Sequence, residues 1–329
     1  MNNQLDFQNK QTNERTYINE NINICFMQST LQVLLNLREF RTDIQSISKR
    51  KLDEKNMKLI REFQNIIKEK QDKCNYIVNP IGIKKILREV NIKYYKNEQE
   101  DANEFLNLLL NEMLKEVKGI GKKNNNNITE PKEKKEKEAF DILENKFFIE
   151  NDSFLIELFY GRLKRIIYCE KNHIIKVNFN VFNIIQLPIS DKEITFEDLL
   201  IKFQEEKKVE TEIYCEECDN VYLYYYSKNI IYNLPYYLIL NLNNKNLIQF
   251  NEKFTINANN FLKEDNNNND TYILNSIISY YGNGKNGHYY SKCRITFDKW
   301  IFFDDNIYYF PQFYLASKYD VIFIFQKYE

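Results

Sequence analysis

The chain is expected to adopt an α+β fold, helical in its first half and antiparallel β in its second. Two observations predict this. Up to about residue 120 the apolar residues recur at helical spacing, and from about Leu163 they give way to short β-branched and aromatic runs, often alternating. The 329 residues, 43% hydrophobic and 15% aromatic, suffice for one large domain with distinct lobes or for two domains. A net charge of −1 supplies no global positive field, which argues against nucleic acid as the main partner. No apolar run reaches the roughly 18 residues of a membrane span. The polar start MNNQLDFQNKQTNERTY does not read as a secretory signal. An intracellular protein of the cytoplasm or nucleus, with no membrane partner, is therefore expected. Six cysteines in so long a chain do not make a disulfide framework and point to metal binding or catalysis.

In chain order, residues 1–16 are expected to be disordered. Asn19–Leu37 is polar up to Ile24, and then Cys25 opens a run with Phe26, Met27, Leu31, Val33, Leu34, Leu35 and Leu37 on every side of a helix. Such a helix should be buried. A cysteine in its first turn sits at the positive end of the helix dipole, where thiolate is favoured and a nucleophile would be placed. Alone, it reads first as a core cysteine, since free Cys is among the most buried residue types. A charged amphipathic segment follows over about Leu52–Lys70, and a short helix is expected to start at Pro80. In QEDANEFLNLLLNEMLKEV (99–117), Ala102, Phe105, Leu106, Leu109, Met113 and Val117 form one stripe and predict a helix. Residues 121–138 have no apolar period and read as a low-complexity, solvated insertion. The strand runs LKRIIYC, IIKVNFNVF, VYLYYYS, IIYNL, YYLILNLN, TYILNSIISYY, HYYSKCRI, WIFFDD and DVIFIF come next. One helix interrupts them at TFEDLLIKF (195–203), with Thr195 as its cap.

The sequence has only two histidines, His173 and His288, so an imidazole base for Cys25 must be one of them. A hairpin turning near residue 296 would pair His288 with Asp304 on one face, where the carboxylate can fix the ring tautomer and leave the other nitrogen for a thiol. Asp305 would face the other way and ranks second. A second cluster joins Cys169 and His173 to Cys215 and Cys218. Cys-x₃-His and Cys-x-x-Cys can together supply a tetrahedral zinc site, and a site with four protein ligands would be structural. Ordinary cysteines on a finger that holds no metal remain the other reading. Cys74 and Cys293 are expected to be core residues.

These stretches resemble the ubiquitin-specific proteases, papain-like cysteine deubiquitinases. NICFMQSTLQVLLN is similar to their cysteine box, and QEDANEFLNLLLNEML to their box of Gln-Gln-Asp-Ala-His-Glu-Phe type. NGHYYSKCR and WIFFDD resemble the histidine box, and YDVIFIFQK the closing strand. The resemblance implies one catalytic domain over 17–329. It would have a papain-like fold with a helical thumb (about 17–160), β fingers (about 161–250) and an antiparallel β palm (about 251–329, with part of the fingers range). It implies Cys25 as nucleophile, His288 as general base and Asp304 as its orienting partner, in thiol-dependent cleavage after the Gly-Gly terminus of ubiquitin. Gln99, Asp101 and Tyr289 would hold the ubiquitin tail. Tyr280 and Tyr281 would help wall the groove, unless these tyrosines form an aromatic core. Ubiquitin or a ubiquitinated protein is the implied partner, with an activating or scaffold protein as a further one, and catalysis would need no cofactor. Two departures stand out. The family usually carries Asn five places before the cysteine as an oxyanion-hole donor and Gly three before, and here Glu20 and Ile22 stand there. A carboxylate cannot donate, which leaves Asn19, Asn21 or a protonated Glu20 as candidates and reduced turnover as an expectation. The fourth finger cysteine is also absent, with Asn172 in its place and His173 beside it. A weak or inactive member that binds ubiquitin or scaffolds a complex, and a protease for a ubiquitin-like modifier, are the alternatives.

Overall fold

The structure is a computed structural model that describes residues 11–12, 23–54, 56–72, 77–96, 98–120, 130–188, 194–242, 255–262, 270–282, 287–311 and 317–328. In chain order the first elements are β1 (Gln11–Thr12), α1 (Cys25–Leu34), α2 (Arg38–Ser46), α3 (Lys49–Glu54), α4 (Lys58–Asp72), α5 (Ile81–Arg88) and α6 (Ala102–Val117). Next come α7 (Lys134–Leu143), a π-helical turn Glu144–Ile149, α8 (Phe154–Phe159), β2 (Gly161–Tyr168), β3 (Ile174–Phe182), β4 (Ile184–Leu187) and α9 (Phe196–Phe203). The rest is strand: β5 (Lys207–Val209), β6 (Ile213–Cys215), β7 (Asn220–Tyr222), β8 (Tyr225–Asn233), β9 (Tyr237–Leu242), β10 (Thr255–Asn257), β11 (Thr271–Gly282), β12 (Gly287–Arg294), β13 (Trp300–Asp304), β14 (Ile307–Tyr309) and β15 (Asp320–Tyr328). The chain forms two compact units, residues 1–116 with 274–324 and residues 117–273 with 325–329.

In the first unit α1 is buried on all sides, as its apolar periphery requires. Phe26, Met27, Leu31, Val33 and Leu34 are at most 2% exposed. The helix lies against β12 and β13. Phe26, Tyr94 and Phe105 interlock beneath it, Phe105 meeting both other rings edge-on. Half-buried Glu116 near the end of α6 accepts from the backbone N–H groups of Leu59 and Ile60 at 2.9 and 3.0 Å. It thereby caps the free amides at the start of α4. Antiparallel strands follow in the order β14, β13, β12, β11 and β15. The buried Lys292 of β12 and Asp320 of β15 pair at 2.5 Å.

In the second unit β3, β2, β8 and β5 form an antiparallel sheet, with β6 and β7 a separate hairpin. Phe140 of α7 packs edge-on against Phe179 of β3 and beside Tyr232 of β8. Arg162 grips both carboxylate oxygens of Glu144 at 2.5 and 2.8 Å. These contacts place residues 134–159 with the strands rather than with the helices before residue 117.

Several expectations change. Lys134–Glu138, expected to belong to the solvated insertion, open α7, because Phe140 anchors the helix; residues 121–129 lie outside the described residues. Gln11 and Thr12, in the stretch expected to be disordered, pair with Tyr308 and Ile307. Pro80 is the residue before α5 rather than its first, and the Lys84 N–H donates to its carbonyl at 2.9 Å. The runs VYLYYYS and IIYNL contribute to β7 and the longer β8, and α2 was not expected. Among the described residues no helix is long and apolar enough to cross a membrane.

Candidate active site

Cys25 is the first residue of α1 and is 8% exposed. Ile24 before it offers no side-chain cap, and the thiol sits at the positive end of the helix dipole. Three residues on, Gln28 Nε2 donates to the carbonyls of Val78 and Asp305 at 3.2 and 3.0 Å. This ties the helix to the turn after β13. A small cleft of about 10 Å³ opens at Cys25, lined among others by Tyr289, Phe303 and Asp305.

The strand pairing carries the imidazole to the same place. Ser291 faces Phe303 and Arg294 faces Trp300, so the hairpin turns near residue 297. The expected register is therefore off by two residues, and Asp304 continues opposite Tyr290 rather than His288. Parity is kept, so His288 and Asp304 still share a face and meet diagonally, within the reach of long side chains. Their contact, His288 Nε2 to Asp304 Oδ1, is 2.5 Å. Asp304 accepting from the ring and the hydrogen bond to Cys25 push the His288 pKa up to about 10, against the lowering effect of burial. Nε2 faces the carboxylate, which leaves Nδ1 for sulfur. Asp305 does not turn away as a continued strand would require. It leaves the strand at φ 49°, and its carboxylate comes within 4.8 Å of the His288 and Asp304 donor atoms. Burial raises the Asp305 pKa while His288 opposes the rise.

Asp101 precedes α6 and caps it, Oδ1 accepting from the N–H groups of Asn103 and Glu104 at 2.8 and 3.0 Å. Gln99 lies closer to the chemistry. Its Nε2 is 3.8 Å from Cys25 Sγ and donates to the Gly287 carbonyl, while the Gly287 N–H donates to its Oε1 at 2.9 Å. Tyr289 is buried, stacks at a tilt on Tyr280 with ring centroids 4.7 Å apart, and its hydroxyl accepts from the Ala102 N–H. A Cβ on Gly287 would sit 2.2–2.3 Å from the Tyr280 ring, so no side chain fits there without moving that ring. Tyr281 is exposed and meets Tyr319 edge-on. The candidates Asn19, Glu20 and Asn21 lie outside the described residues, as does Cys74. Cys293 is buried, and its thiol pKa is pushed up to about 12 by burial. The contact of Gln99 with sulfur and the bracket made by Gln28 were not anticipated; the only signal for Gln28 is its position one helical turn from Cys25.

In the second unit Cys169 and His173 flank the turn between β2 and β3, and Cys215 and Cys218 lie at the turn between β6 and β7. Tight turns with φ 66° at Asn172 and 46° at Asp219 bring the four side chains inward. His173 Nδ1 is 3.1 Å from Cys218 Sγ and 3.9 Å from Cys215 Sγ, and Cys169 Sγ is 3.9 Å from Cys218 Sγ. All four donor atoms lie within 4.8 Å of one another. Such edges suit ligands about 2.0–2.3 Å from a shared centre, and three thiols with an imidazole are a zinc donor set. None of the five described cysteines is in a disulfide.

Helix-borne thiol, strand-borne imidazole and carboxylate together are the arrangement of a cysteine hydrolase of the papain-like kind. The chain belongs to the ubiquitin carboxyl-terminal hydrolase family, whose sequence model matches residues 18–309. It is 25% identical over 304 residues to ubiquitin carboxyl-terminal hydrolase Usp2 of Drosophila melanogaster, covering 87% of this chain and 32% of that protein. It is 27% identical over 313 residues to ubiquitin carboxyl-terminal hydrolase 2 of Bos taurus, covering 86% and 50%. The chain thus spans half or less of the length of these relatives. Its fold is also that of Ubp8 in the SAGA DUB module with Sgf11, Sus1 and Sgf73. The form bound to monoubiquitin gives a TM-score of 0.69 at 18% identity over 93% of this chain and 67% of that one. The form bound to ubiquitin aldehyde gives 0.69 at 20% identity over 93% and 68%.

Proposed function

We propose that the chain is a thiol-dependent deubiquitinase that cleaves the isopeptide or peptide bond after the C-terminal Gly-Gly of ubiquitin. The observation that carries this is the 2.5 Å contact of His288 with Asp304 beside Cys25 at the head of α1. The Cys25 thiolate attacks the glycine carbonyl, a C–S bond forms, and the carbonyl π pair moves to oxygen. His288, its Nε2–H held by Asp304, gives the proton on Nδ1 to the departing lysine amine as the tetrahedral species collapses to a thioester. Water, deprotonated by His288, then attacks that thioester and releases the ubiquitin carboxylate and the free thiol. Asp304 fixes the ring and Asp305 adds negative charge behind it. The Gly-Gly end suits the approach between Gln99, Gly287 and Tyr289, where a side chain would meet the clamped strand. Asp101, already capping α6, offers its second oxygen to the tail's backbone.

Catalysis needs no metal. The Cys169, His173, Cys215 and Cys218 cluster would hold a structural zinc, fixing two hairpin ends with no open coordination position. Ubp8 is seen assembled with three other proteins; by analogy a partner protein is proposed for this chain as well.

The test is a ubiquitin probe with an electrophile at its C-terminus. The reading expects an adduct of one ubiquitin mass, mapped to Cys25 and lost in Cys25→Ala. Tight binding without an adduct favours a ubiquitin-binding scaffold, the reading motivated by Glu20 and Ile22. Reaction only with the probe of another modifier assigns a different substrate.

A further inference from the structure

We propose that Gln99 supplies an oxyanion-hole donor from the lead-in to α6. The inference rests on the hydrolase reading above and assigns a catalytic role within the same site. The position where the family usually carries that donor holds Glu20, which cannot donate as a carboxylate. A side-chain amide nitrogen has two hydrogens. One hydrogen of Gln99 Nε2 is committed to the Gly287 carbonyl. The Gly287 N–H, donating to Oε1 at 2.9 Å, fixes which end of the amide is nitrogen, so its orientation follows from the backbone it grips. The same nitrogen lies 3.8 Å from Cys25 Sγ, the atom to which the substrate carbonyl carbon must bond. Once that bond forms, the carbonyl oxygen sits on the attacked carbon, two bonds from sulfur. A donor must meet it at about 2.7–3.1 Å, and the second Nε2 hydrogen is placed for that. The donor is preorganised, because the amide is already held at two points and needs no reorientation when charge develops. In the attack the C–S bond forms, the π pair moves to oxygen, and Gln99 stabilises that oxygen without gaining or losing a proton. The Cys25 backbone N–H, at the first residue of α1, is the natural second donor.

The test compares wild type with Gln99→Glu and Gln99→Met, the second keeping length without a donor. Three readouts are taken: kcat and KM for a ubiquitin–fluorophore amide, and the rate at which iodoacetamide alkylates Cys25. In alkylation the thiolate displaces iodide from the methylene carbon and creates no oxyanion, so it reports the thiolate and imidazolium pair and the integrity of the fold. The expected result is a loss of kcat on the order of 10²–10³ in both variants, with KM and alkylation rate little changed. Retained kcat in Gln99→Met overturns the assignment. So does a fall of alkylation in step with kcat, which would make Gln99 a residue that merely positions His288 through Gly287. A wild type that turns over no ubiquitin conjugate removes the hydrolase reading and this assignment together. An active wild type matched by Gln99→Met removes this assignment alone.

Discussion

At the scale of single residues, the state of His288 decides the chemistry. Free histidine titrates near 6.5, and here Asp304 and Cys25 raise the pKa to about 10. A raised basic pKa stabilises the fold fully below about pH 6.5, and this contribution is lost as pH climbs through about 10. The catalytic imidazolium is lost over the same alkaline window. Asp304→Asn removes the largest cause of the shift, so the alkaline limb of the kcat/KM profile should move to lower pH. Its kcat should fall by up to about 10⁴-fold, the loss seen when a triad aspartate becomes asparagine. An unmoved limb would mean that Asp305 holds the ring instead. Cys25, His288 and Asp304 were legible because a cysteine heads an all-round apolar helix and only two histidines exist. Asp305 and Gln99 were named as candidates, but Asp305 was expected to face away and the contact of Gln99 with sulfur was not foreseen. Their placement depends on a left-handed backbone turn and on a loop clasp of the Gly287 backbone, and neither leaves a periodic trace in sequence.

Among the elements, long apolar patterns were readable and short or charged ones were not. The patterns of α1, α6, β3, β9 and β11 specified their own type because the buried face repeats over several turns or pleats. In α2 only Phe40 and Ile44 are buried, and α7 begins in a Lys/Glu run with Phe140 as its one buried anchor. Neither shows a stripe. The β12–β13 hairpin was misplaced by two residues because alternation fixes parity, whereas loop length fixes register. The β2–β3 and β6–β7 turns carry a further prediction. Protein purified without chelator should contain one zinc per chain, and either a strong chelator or Cys215→Ser should remove it and lower the melting temperature. Elemental analysis showing no metal, with melting indifferent to chelator, would leave four unliganded side chains on the hairpin turns.

For the whole molecule, the candidate site lies within one compact unit assembled from two segments far apart in the chain. Residues 1–116 bring the thiol and the glutamine clasp, and residues 274–324 bring the imidazole and both carboxylates. Residues 117–273, with 325–329, form the other unit, with its own hydrophobic cluster of Phe140, Phe179 and Tyr232 and its own cysteine–histidine cluster. The α+β class and the order of the boxes could be read from the chain. The division after residue 116 could not, because it follows from Phe140 and Glu144 finding partners on β2, β3 and β8. The most direct measurement is release of a fluorophore from the C-terminus of ubiquitin by the purified chain, with Cys25→Ala and His288→Ala alongside. Turnover by the wild type that falls to background in both variants is the predicted result. Turnover that survives Cys25→Ala, or a wild type silent toward ubiquitin under every condition in which it is folded, would contradict it.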